Sequence, residues 1–500
     1  LGDVYKRQVQ DFSFKNIDHF STSGLVTRMT TDITNVQMAY MMSIRLLARA
    51  PIMILLSWIM TLLINVKIAL LFLIVIPLLG GTLMFIAKKA HPHFIRVFDE
   101  YDELNNSVQE NVNASRVVKA FVREDYEINK FHGVSNYVYA LFTKAEKIVA
   151  WNSPVLQFMM YAVVLLIALI GGRSIVFGTM ETGELTSVIV YAIQILMSLN
   201  MVTFVFVMIM IAGASTDRIT EVLNEVPEMQ DKADTVKEVR NGEITFEHVD
   251  FSYAGEGGNL SLKDINLHIK SGQTVGIIGG TGSAKSTLVQ MIPRLYDVTG
   301  GAVKVAGVDV RDYNLEVLRD QVSMVLQKNV LFSGTIYDNI RWGNEQASDE
   351  EVKRVCRLAQ ADGFVNEFPN GYETMIVQGG NNVSGGQKQR LCIARALLKK
   401  PKILILDDST SAVDTKTDAL IRKAFREEIP DTTKIIIAQR VSSIEDADQI
   451  IVLDDGKIAG VGTSEELLQT NEIYREVYES QVKGGEEDEY CLLYTSDAAD

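Results

Sequence analysis

The stretch Gly279-Gly280-Thr281-Gly282-Ser283-Ala284-Lys285-Ser286-Thr287 decides how the second half of the chain folds. It follows an apolar run at residues 274–278, which predicts a buried strand, and it precedes the apolar residues 288–292, which predict a helix. A glycine-rich loop that joins a strand to a helix and ends in Lys-Ser is typical of a phosphate-binding loop, because its backbone N–H groups and the helix N-terminus face the anion. We therefore expect Lys285 to reach the terminal phosphates of ATP and the Ser286 hydroxyl to bind Mg²⁺.

Composition sets wide limits on the class of protein. The 500 residues correspond to about three domains. The chain has 48 Lys and Arg against 63 Asp and Glu, a net charge of −15, which argues against nucleic acid as the main partner. Cys356, Cys392 and Cys491 show no metal-binding spacing, and we expect Cys356 and Cys392 to be reduced packing residues in the cytosol.

Both ends of the chain resemble a translated sequencing adaptor. Residues 3–8 can be encoded by a DNA tag whose reverse complement, in another frame, encodes residues 491–496. We therefore expect residues 1–8 and 490–500 to be adaptor artefacts that belong to neither domain. On this interpretation the chain is a fragment that lacks its true N-terminus.

Four long apolar runs dominate the first half of the chain. They lie at about residues 46–64, 68–87, 150–172 and 187–210. Each is long enough for a helix to cross a bilayer, which takes about 20 residues. Four such runs favour an all-α transmembrane bundle over buried helices of a soluble protein. The sequence thus predicts a transmembrane domain fragment over residues 9–216, in contact with membrane lipid.

Basic residues predict which side of the membrane each connection faces. Residues 88–147, between the second and third runs, carry nine lysines and arginines, whereas the short links on the other side have few. By the positive-inside rule this long connection is cytoplasmic. An even number of spans puts the phosphate-binding half on the same side, where ATP is. We expect a multi-pass protein of the cytoplasmic (plasma) membrane, with the nucleotide-binding domain in the cytosol.

Strands and helices alternate after the last apolar run. Residues 217–241 are charged and contain Pro227, which predicts a linker, and residues 242–483 show the alternation of an α/β domain with a mostly parallel sheet. Within this domain, Ile403-Leu404-Ile405-Leu406-Asp407 predicts a buried strand that ends in an acid. We expect Asp407 to hold Mg²⁺, directly or through water.

A second motif lies between these two elements. Ser384-Gly385-Gly386-Gln387 opens a helical segment, and its two glycines allow a phosphate to approach the backbone. This motif resembles the signature of ATP-binding cassette (ABC) proteins. The resemblance implies that Ser384–Gln387 closes over ATP bound by a partner subunit, so that the working unit is a dimer.

Other residues resemble the same family in order. Tyr253 stands where the family stacks an aromatic ring on adenine, and Gln327 stands at the glutamine that contacts Mg²⁺ and water. Residues 411–414 look like the D-loop. Residues 23–32 and 116–124 are similar to the two cytoplasmic coupling loops of the exporter branch, which has six spans per half. The resemblance implies an exporter half of the multidrug or lipid type that lacks its first two spans. Its substrate could be a small molecule, a lipid or a peptide.

The chain departs from the family at three positions of the nucleotide site. Asp408 stands where the family has the Glu that polarises the attacking water, and Gln439 stands where it has a His that contacts the γ-phosphate. Gln cannot carry a positive charge or shuttle a proton. Ala284 replaces the Gly before the lysine. We expect this change to be mild if the backbone there is right-handed helical.

The two γ-phosphate departures lead to the main functional hypothesis. The chain resembles the degenerate half of heterodimeric bacterial exporters, which holds ATP at an impaired site and completes its partner's competent site. The alternatives are a homodimeric exporter with slow ATPase activity and a regulatory nucleotide-binding subunit. A soluble DNA-repair or translation cassette is disfavoured by the four spans.

Overall fold

The computed structural model describes residues 2–20, 22–255, 257–409 and 411–481. The chain separates into two compact units, one formed by Leu1–Asp11 and Phe20–Glu225 and the other by Phe12–His19 and Val226–Asp500. The adaptor-like residues 490–500 lie outside the described residues. The adaptor-like residues 1–8 fall mostly within the first helix, where Tyr5 is buried and donates a hydrogen bond to the carbonyl of Leu25 (3.2 Å).

The first half of the chain is helical. Its helices are α1 (Gly2–Gln10), α2 (Phe14–His19), α3 (Thr22–Thr27), α4 (Ile33–Met42), α5 (Arg49–Ile64), α6 (Val66–Asn113), α7 (Ser115–Ala120), α8 (Glu124–Val149), α9 (Asn152–Val176) and α10 (Thr182–Asn224). Two π-helical segments, Arg28–Asp32 and Ser43–Leu47, lie between α3 and α5. All of these helices except α2 belong to the first unit.

Four helical segments of the first unit are long and apolar enough to cross a membrane. They are Gly24–Ile64, Val66–Phe94, Glu124–Val176 and Thr182–Asn224, and each contains one of the four predicted spans. The helices run well past those spans: α6 has 48 residues and a length of about 72 Å, more than twice the hydrocarbon core of a bilayer. We expected the linker to begin at residue 217, but α10 continues to Asn224.

Apolar packing joins α5, α6, α9 and α10. Buried side chains that share this cluster include Ile68, Phe72 and Leu79 of α6, Val163 and Ile167 of α9, and Ile195 of α10. Leu70, Leu73 and Ile74 on the other side of α6 are more than half exposed. An exposed apolar face of this kind is suited to lipid or to a partner helix.

A buried charge ties the beginning of the first long segment to the end of α10. Asp32 is fully buried, and its Oδ1 accepts hydrogen bonds from Ser215 Oγ (2.9 Å) and Arg218 Nη2 (2.5 Å). Arg28 and Glu221 form a second ion pair between the same two elements (2.8 Å). A buried carboxylate is stable only with such partners, so these contacts hold α10 against residues 28–32.

The second unit is built on three sheets. Its strands are β1 (Ile244–Phe251), β2 (Leu262–Ile269), β3 (Thr274–Gly279), β4 (Gly300–Val305), β5 (Val308–Asp309), β6 (Val322–Val325), β7 (Gly334–Thr335), β8 (Met375–Ile376), β9 (Ile403–Asp407), β10 (Thr433–Ile437), β11 (Gln449–Asp454) and β12 (Lys457–Gly462). Its helices are α2, α11 (Lys285–Gln290), α12 (Leu315–Gln321), α13 (Ile336–Arg341), α14 (Asp349–Leu358), α15 (Asp362–Glu367), α16 (Gly385–Leu398), α17 (Thr415–Glu428) and α18 (Ser464–Thr470). Residues 472–481, at the end of the described chain, are also helical.

The central sheet has the order β12-β11-β3-β10-β9-β6 and is parallel except for β12. A second, antiparallel sheet has the order β2-β1-β4-β5. Every residue of β9 and β10 is buried, because helices or the second sheet cover both faces of these strands. This confirms the predicted α/β domain with a mostly parallel sheet. Ligands of such sheets bind at the carboxyl ends of the strands, where β3, β9 and β10 end side by side.

Candidate nucleotide-binding site

The predicted phosphate-binding loop connects β3 to α11. Gly279 ends the strand with φ +158°, and a Cβ there would lie 2.1 Å from the carbonyl oxygen of Leu453, so only glycine fits. Lys285 Nζ donates hydrogen bonds to the carbonyls of Gly279 (2.8 Å) and Gly280 (2.7 Å). Burial lowers the pKa of Lys285, while Asp407 and Asp408 act in the opposite direction. The loop therefore presents a half-buried ammonium group, which suits a bound phosphate.

Ala284 does not have the backbone conformation that we expected. Its φ and ψ are 68° and 26°, in the left-handed region, so the assumption of a right-handed helical residue was wrong. A residue with a Cβ pays about 1–2 kcal/mol in this conformation, whereas glycine does not. The loop therefore keeps the geometry of a glycine-containing loop at the expense of local strain.

Ser286 and Asp407 form the candidate Mg²⁺ site. Ser286 Oγ, in the first turn of α11, donates a hydrogen bond to Asp407 Oδ1 (3.0 Å) at the end of β9. Asp407 is buried, which raises the pKa of its carboxyl, and the hydrogen bond from Ser286 partly offsets this effect. A hydroxyl and a carboxylate are hard oxygen donors of the kind Mg²⁺ uses together with phosphates and water. Among the described residues no group of three or more His, Cys, Asp or Glu could hold a metal by itself, so this pair fits a metal that also binds nucleotide.

The two residues that we expected to face the γ-phosphate, Asp408 and Gln439, contact each other. β9 and β10 are parallel, with Asp407 paired to Ile437, so the residues that follow both strands meet at one edge of the sheet. There Gln439 Nε2 donates a hydrogen bond to Asp408 Oδ2 (2.8 Å). The predicted Gln327 also approaches the same oxygen through its Nε2, at 3.4 Å. Three of the predicted residues, Gln327, Asp408 and Gln439, therefore meet at the carboxylate of Asp408.

Tyr253 lies over the first helix of the site. Its hydroxyl is 3.1 Å from Thr287 Oγ1 and 3.4 Å from Gln290 Oε1, and its ring packs edge-to-face on Tyr296 with centroids 5.2 Å apart. The side chain is 48% exposed. A half-exposed ring beside the helix that follows the phosphate-binding loop would allow a nucleotide base to stack on it.

The signature residues lie apart from the phosphate-binding loop. Ser384 caps α16: its Oγ accepts from Gln387 N (3.3 Å) and its own N donates to Gln387 Oε1 (2.9 Å). A Cβ on Gly386 would lie 2.7 Å from the carbonyl oxygen of Ala412. Among the described residues, none of the hydrogen bonds or ion pairs joins residues 384–387 to residues 279–287. The two candidate phosphate-binding elements are thus not joined by a hydrogen bond or ion pair in the part of the chain that the structure describes.

Sequence reasoning missed two side chains that hold the predicted D-loop. Gln389 of α16 holds the predicted D-loop: its Nε2 donates to Ser411 Oγ (3.3 Å) and its Oε1 accepts from Ala412 N (3.1 Å). Arg440 donates from the other side to the carbonyls of Ser411 (3.3 Å) and Val413 (3.4 Å). Polar residues of this kind carry no spacing pattern, and only their position next to a turn reveals them.

The short helix α2 packs on the second unit, beside the candidate site. Tyr296 donates a hydrogen bond to Asp18 Oδ2 (2.7 Å), and its ring lies 6.1 Å from that of Phe14. Lys15 pairs with Glu228 (2.6 Å). Tyr296 also contacts Tyr253. The Tyr296 side chain therefore lies between α2 and Tyr253, the residue on which a base would stack.

Comparison with known proteins agrees with both halves of the chain. The family described as "ABC transporter transmembrane region" matches residues 5–199, and the family described as "ABC transporter" matches residues 262–411. The chain is 39% identical over 485 residues to "Uncharacterized ABC transporter ATP-binding protein YfiB" of Bacillus subtilis (strain 168), covering 97% of this chain and 84% of that protein. The chain belongs to the ABC transporter family. It is an exporter half-transporter that binds ATP, a multi-pass membrane protein with a cytosolic ATPase domain.

Two further similarities describe this ABC exporter half. It is 33% identical over 493 residues to the "ATP-dependent lipid A-core flippase" of Desulfotalea psychrophila (strain LSv54 / DSM 12343), covering 96% of this chain and 86% of that protein. Its fold is similar to the solved structure "Structure of a bacterial Atm1-family ABC exporter with ATP bound", with a TM-score of 0.87, 24% identity, and coverage of 95% of this chain and 84% of that one. The predicted helical membrane domain followed by an ABC ATPase domain is thereby confirmed. ABC exporters act as dimers.

Proposed function

We propose that this exporter half holds ATP and Mg²⁺ at a site with impaired hydrolysis and completes the competent site of a different partner half. The observation that carries the proposal is the hydrogen bond between Gln439 and Asp408 (2.8 Å). The two residues that replace the usual glutamate and histidine are bonded to each other. A carboxylate engaged in this way is a poor acceptor for the proton of an attacking water.

Side-chain length and charge support the same conclusion. A general base must come within hydrogen-bond reach of its water, and Asp408 is shorter than Glu by one methylene, about 1.5 Å. Gln439 can donate a hydrogen bond to a γ-phosphate oxygen but adds no positive charge. Both changes weaken the chemical step and leave the residues that bind phosphate in place.

In this proposal the remaining site residues keep their binding roles. Tyr253 stacks on adenine, residues 279–287 surround the phosphates, and Ser286, Gln327 and Asp407 hold Mg²⁺. Mg²⁺ would neutralise phosphate charge, and Lys285 would add its own charge to the same end of ATP. Residues 384–387 face ATP bound by the partner half, whose hydrolysis they assist. The intact cap of Ser384 on α16 supports this role, since it keeps the helix N-terminus formed.

The exported substrate is a small molecule, a lipid or a peptide. The apolar core of the membrane domain contains few polar groups: Asn200 Oδ1 accepts from Asn152 Nδ2 (3.5 Å), and Gln194 Nε2 lies 3.0 Å from Met53 Sδ. The similarity to a protein named a lipid A-core flippase favours an amphipathic lipid among these classes.

The experiment restores the two residues. Asp408→Glu with Gln439→His is introduced into the complete transporter, and ATP turnover is measured with a partner whose own P-loop lysine has been replaced. Turnover at the local site should rise by about tenfold or more, since a positioned general base contributes about 10²–10⁴-fold. A matched control, Asp455→Glu with Gln469→His, makes the same changes at exposed positions and should have no effect.

Other outcomes would identify the alternatives. No gain in turnover would show that these residues do not limit the local site. Purification of this chain alone as a stable, active species would favour a homodimeric exporter with slow ATPase activity. ATP binding without any turnover after the repair would favour a regulatory subunit if, in a second assay, the activity of an unmodified partner depends on ATP at this site.

A further inference from the structure

The side chain of Gln481 holds the segment that carries Gln439. Gln481 is the last described residue of the helical segment that begins at residue 472. Its Oε1 accepts a hydrogen bond from Val441 N (2.8 Å), and its Nε2 donates one to the carbonyl of Gln439 (2.8 Å). One amide group therefore satisfies the two backbone groups on either side of Arg440.

Residues 438–440 connect two regular elements and belong to neither, so they need hydrogen bonds from elsewhere to hold them. β10 ends at Ile437, and the next short helix begins at Val441. Ala438 N donates to the carbonyl of Ile277 at 3.3 Å, which holds only the start of the segment. The Arg440 side chain reaches the D-loop carbonyls. Gln481 is thus a direct hydrogen-bond partner of the Gln439 backbone itself.

The helix that carries Gln481 is anchored in the core. Tyr474 is fully buried, its hydroxyl is 2.9 Å from Ser464 Oγ, and its backbone N donates to Asn471 Oδ1 (2.9 Å). A side chain on a well-packed helix holds its partner more accurately than one on a loop does. Gln481 can therefore fix the position of Gln439 relative to the rest of the unit.

We propose that Gln481 is a positioning residue for the nucleotide site. It fixes the backbone of Gln439 so that the side chain reaches Asp408 and the γ-phosphate side of the site. The inference rests on the proposed function, since it concerns the same site. A displacement of about 1 Å at a reacting group can cost about 10²-fold in rate. In the chain with Asp408→Glu and Gln439→His, loss of this support therefore lowers turnover, whereas ATP binding, which depends on residues 279–287, is unaffected.

The test uses the complete transporter and two substitutions of similar length. Gln481→Met keeps the size of the side chain and removes both hydrogen bonds. Gln481→Glu keeps the acceptor for Val441 N and removes the donor to Gln439. Hydrogen–deuterium exchange at the Val441 amide should accelerate about threefold to tenfold in Gln481→Met and remain slow in Gln481→Glu. Ser480→Ala, whose hydroxyl bonds only within the same helix at the carbonyl of Val477 (2.9 Å), should change nothing.

Turnover provides the second measurement. In the chain with Asp408→Glu and Gln439→His, Gln481→Met should lower kcat for ATP at the local site about threefold or more with KM unchanged. Unchanged exchange at Val441 would overturn the inference, as would faster exchange with unchanged kcat, or an equal loss in Ser480→Ala. The proposed function is judged separately, by whether the repaired chain gains turnover with Gln481 intact.

Discussion

Gln439 donates a hydrogen bond from Nε2 to Oδ2 of Asp408 at 2.8 Å, across the carboxyl ends of two parallel strands. By the sequence resemblance, these residues stand where ABC proteins carry the glutamate and the histidine that act at the γ-phosphate. Because the side chains contact each other, the departures form one structural unit. A change at either position therefore alters the surroundings of the other.

We expect Asp408→Glu and Gln439→His to act non-additively on ATP turnover. Residues that share a hydrogen bond show interaction energies of about 0.5–3 kcal/mol in double-mutant cycles. Glu alone would remain bonded to Gln439, and His alone would face a carboxylate that is too short. Each single change should raise turnover less than about threefold, and the pair about tenfold or more. Turnover in the pair equal to the product of the single effects would contradict this coupling.

Ala284→Gly should stabilise the ATPase unit. Ala284 has φ 68°, and glycine relieves a left-handed strain of about 1 kcal/mol or more. The midpoint of thermal unfolding of the transporter in detergent should rise. Ala419→Gly, at an exposed position of α17, is the matched control. It should lower the midpoint, because glycine costs about 1 kcal/mol in a helix interior. A shift of the unfolding midpoint in the same direction for both variants would argue against strain at Ala284.

Tyr296→Phe should weaken the link between ATP turnover and transport. The substitution keeps the ring and removes the hydrogen bond to Asp18 on α2 (2.7 Å). Burial raises the pKa of the Tyr296 hydroxyl, and the bond to Asp18 adds to this effect, so the hydroxyl stays protonated and donates at every physiological pH. Stimulation of ATPase activity by transported substrate should fall at least about twofold, while the Kd for ATP stays unchanged.

A second variant checks the role of this hydroxyl. Asp18→Asn keeps a neutral acceptor for Tyr296 and should have a smaller effect than Tyr296→Phe, because hydrogen bonds to charged groups are the stronger ones. A loss of ATP affinity in either variant would show that the hydrogen bond between Tyr296 and Asp18 supports the nucleotide site rather than the link between ATP turnover and transport.

Cys356 should resist alkylation in the folded protein. The side chain is fully buried, and burial raises the pKa of its thiol to about 12, so almost no thiolate forms at pH 8. Iodoacetamide should label Cys356 only after unfolding in guanidinium chloride, as read by mass spectrometry in a Cys491→Ser background. A cysteine placed at the exposed position of Glu345 serves as the reactive control. Equal labelling rates at the two positions would contradict the prediction.

Much of the fold could be predicted because its signals are local. The four apolar spans each lie within one long helical segment, since a run of about 20 apolar residues is stable only in a membrane or a large core. The loop at residues 279–287 and Asp407 follow buried strands, so their place at the end of a parallel sheet was predictable. The lengths of the helices beyond the membrane and the continuation of α10 to Asn224 were not, because polar helices carry a weaker periodic signal.

The sequence by itself determined the family and the membrane domain and predicted the candidate phosphate-binding groups, because these depend on residue type at short spacing. Only the tertiary structure decided the left-handed conformation of Ala284, the bond between Gln439 and Asp408, and the support of Gln439 by Gln481, which lies 42 residues away. These relationships arise from the packing of strands and helices that are distant in the chain. Polar side chains that meet in this way leave no pattern in the sequence.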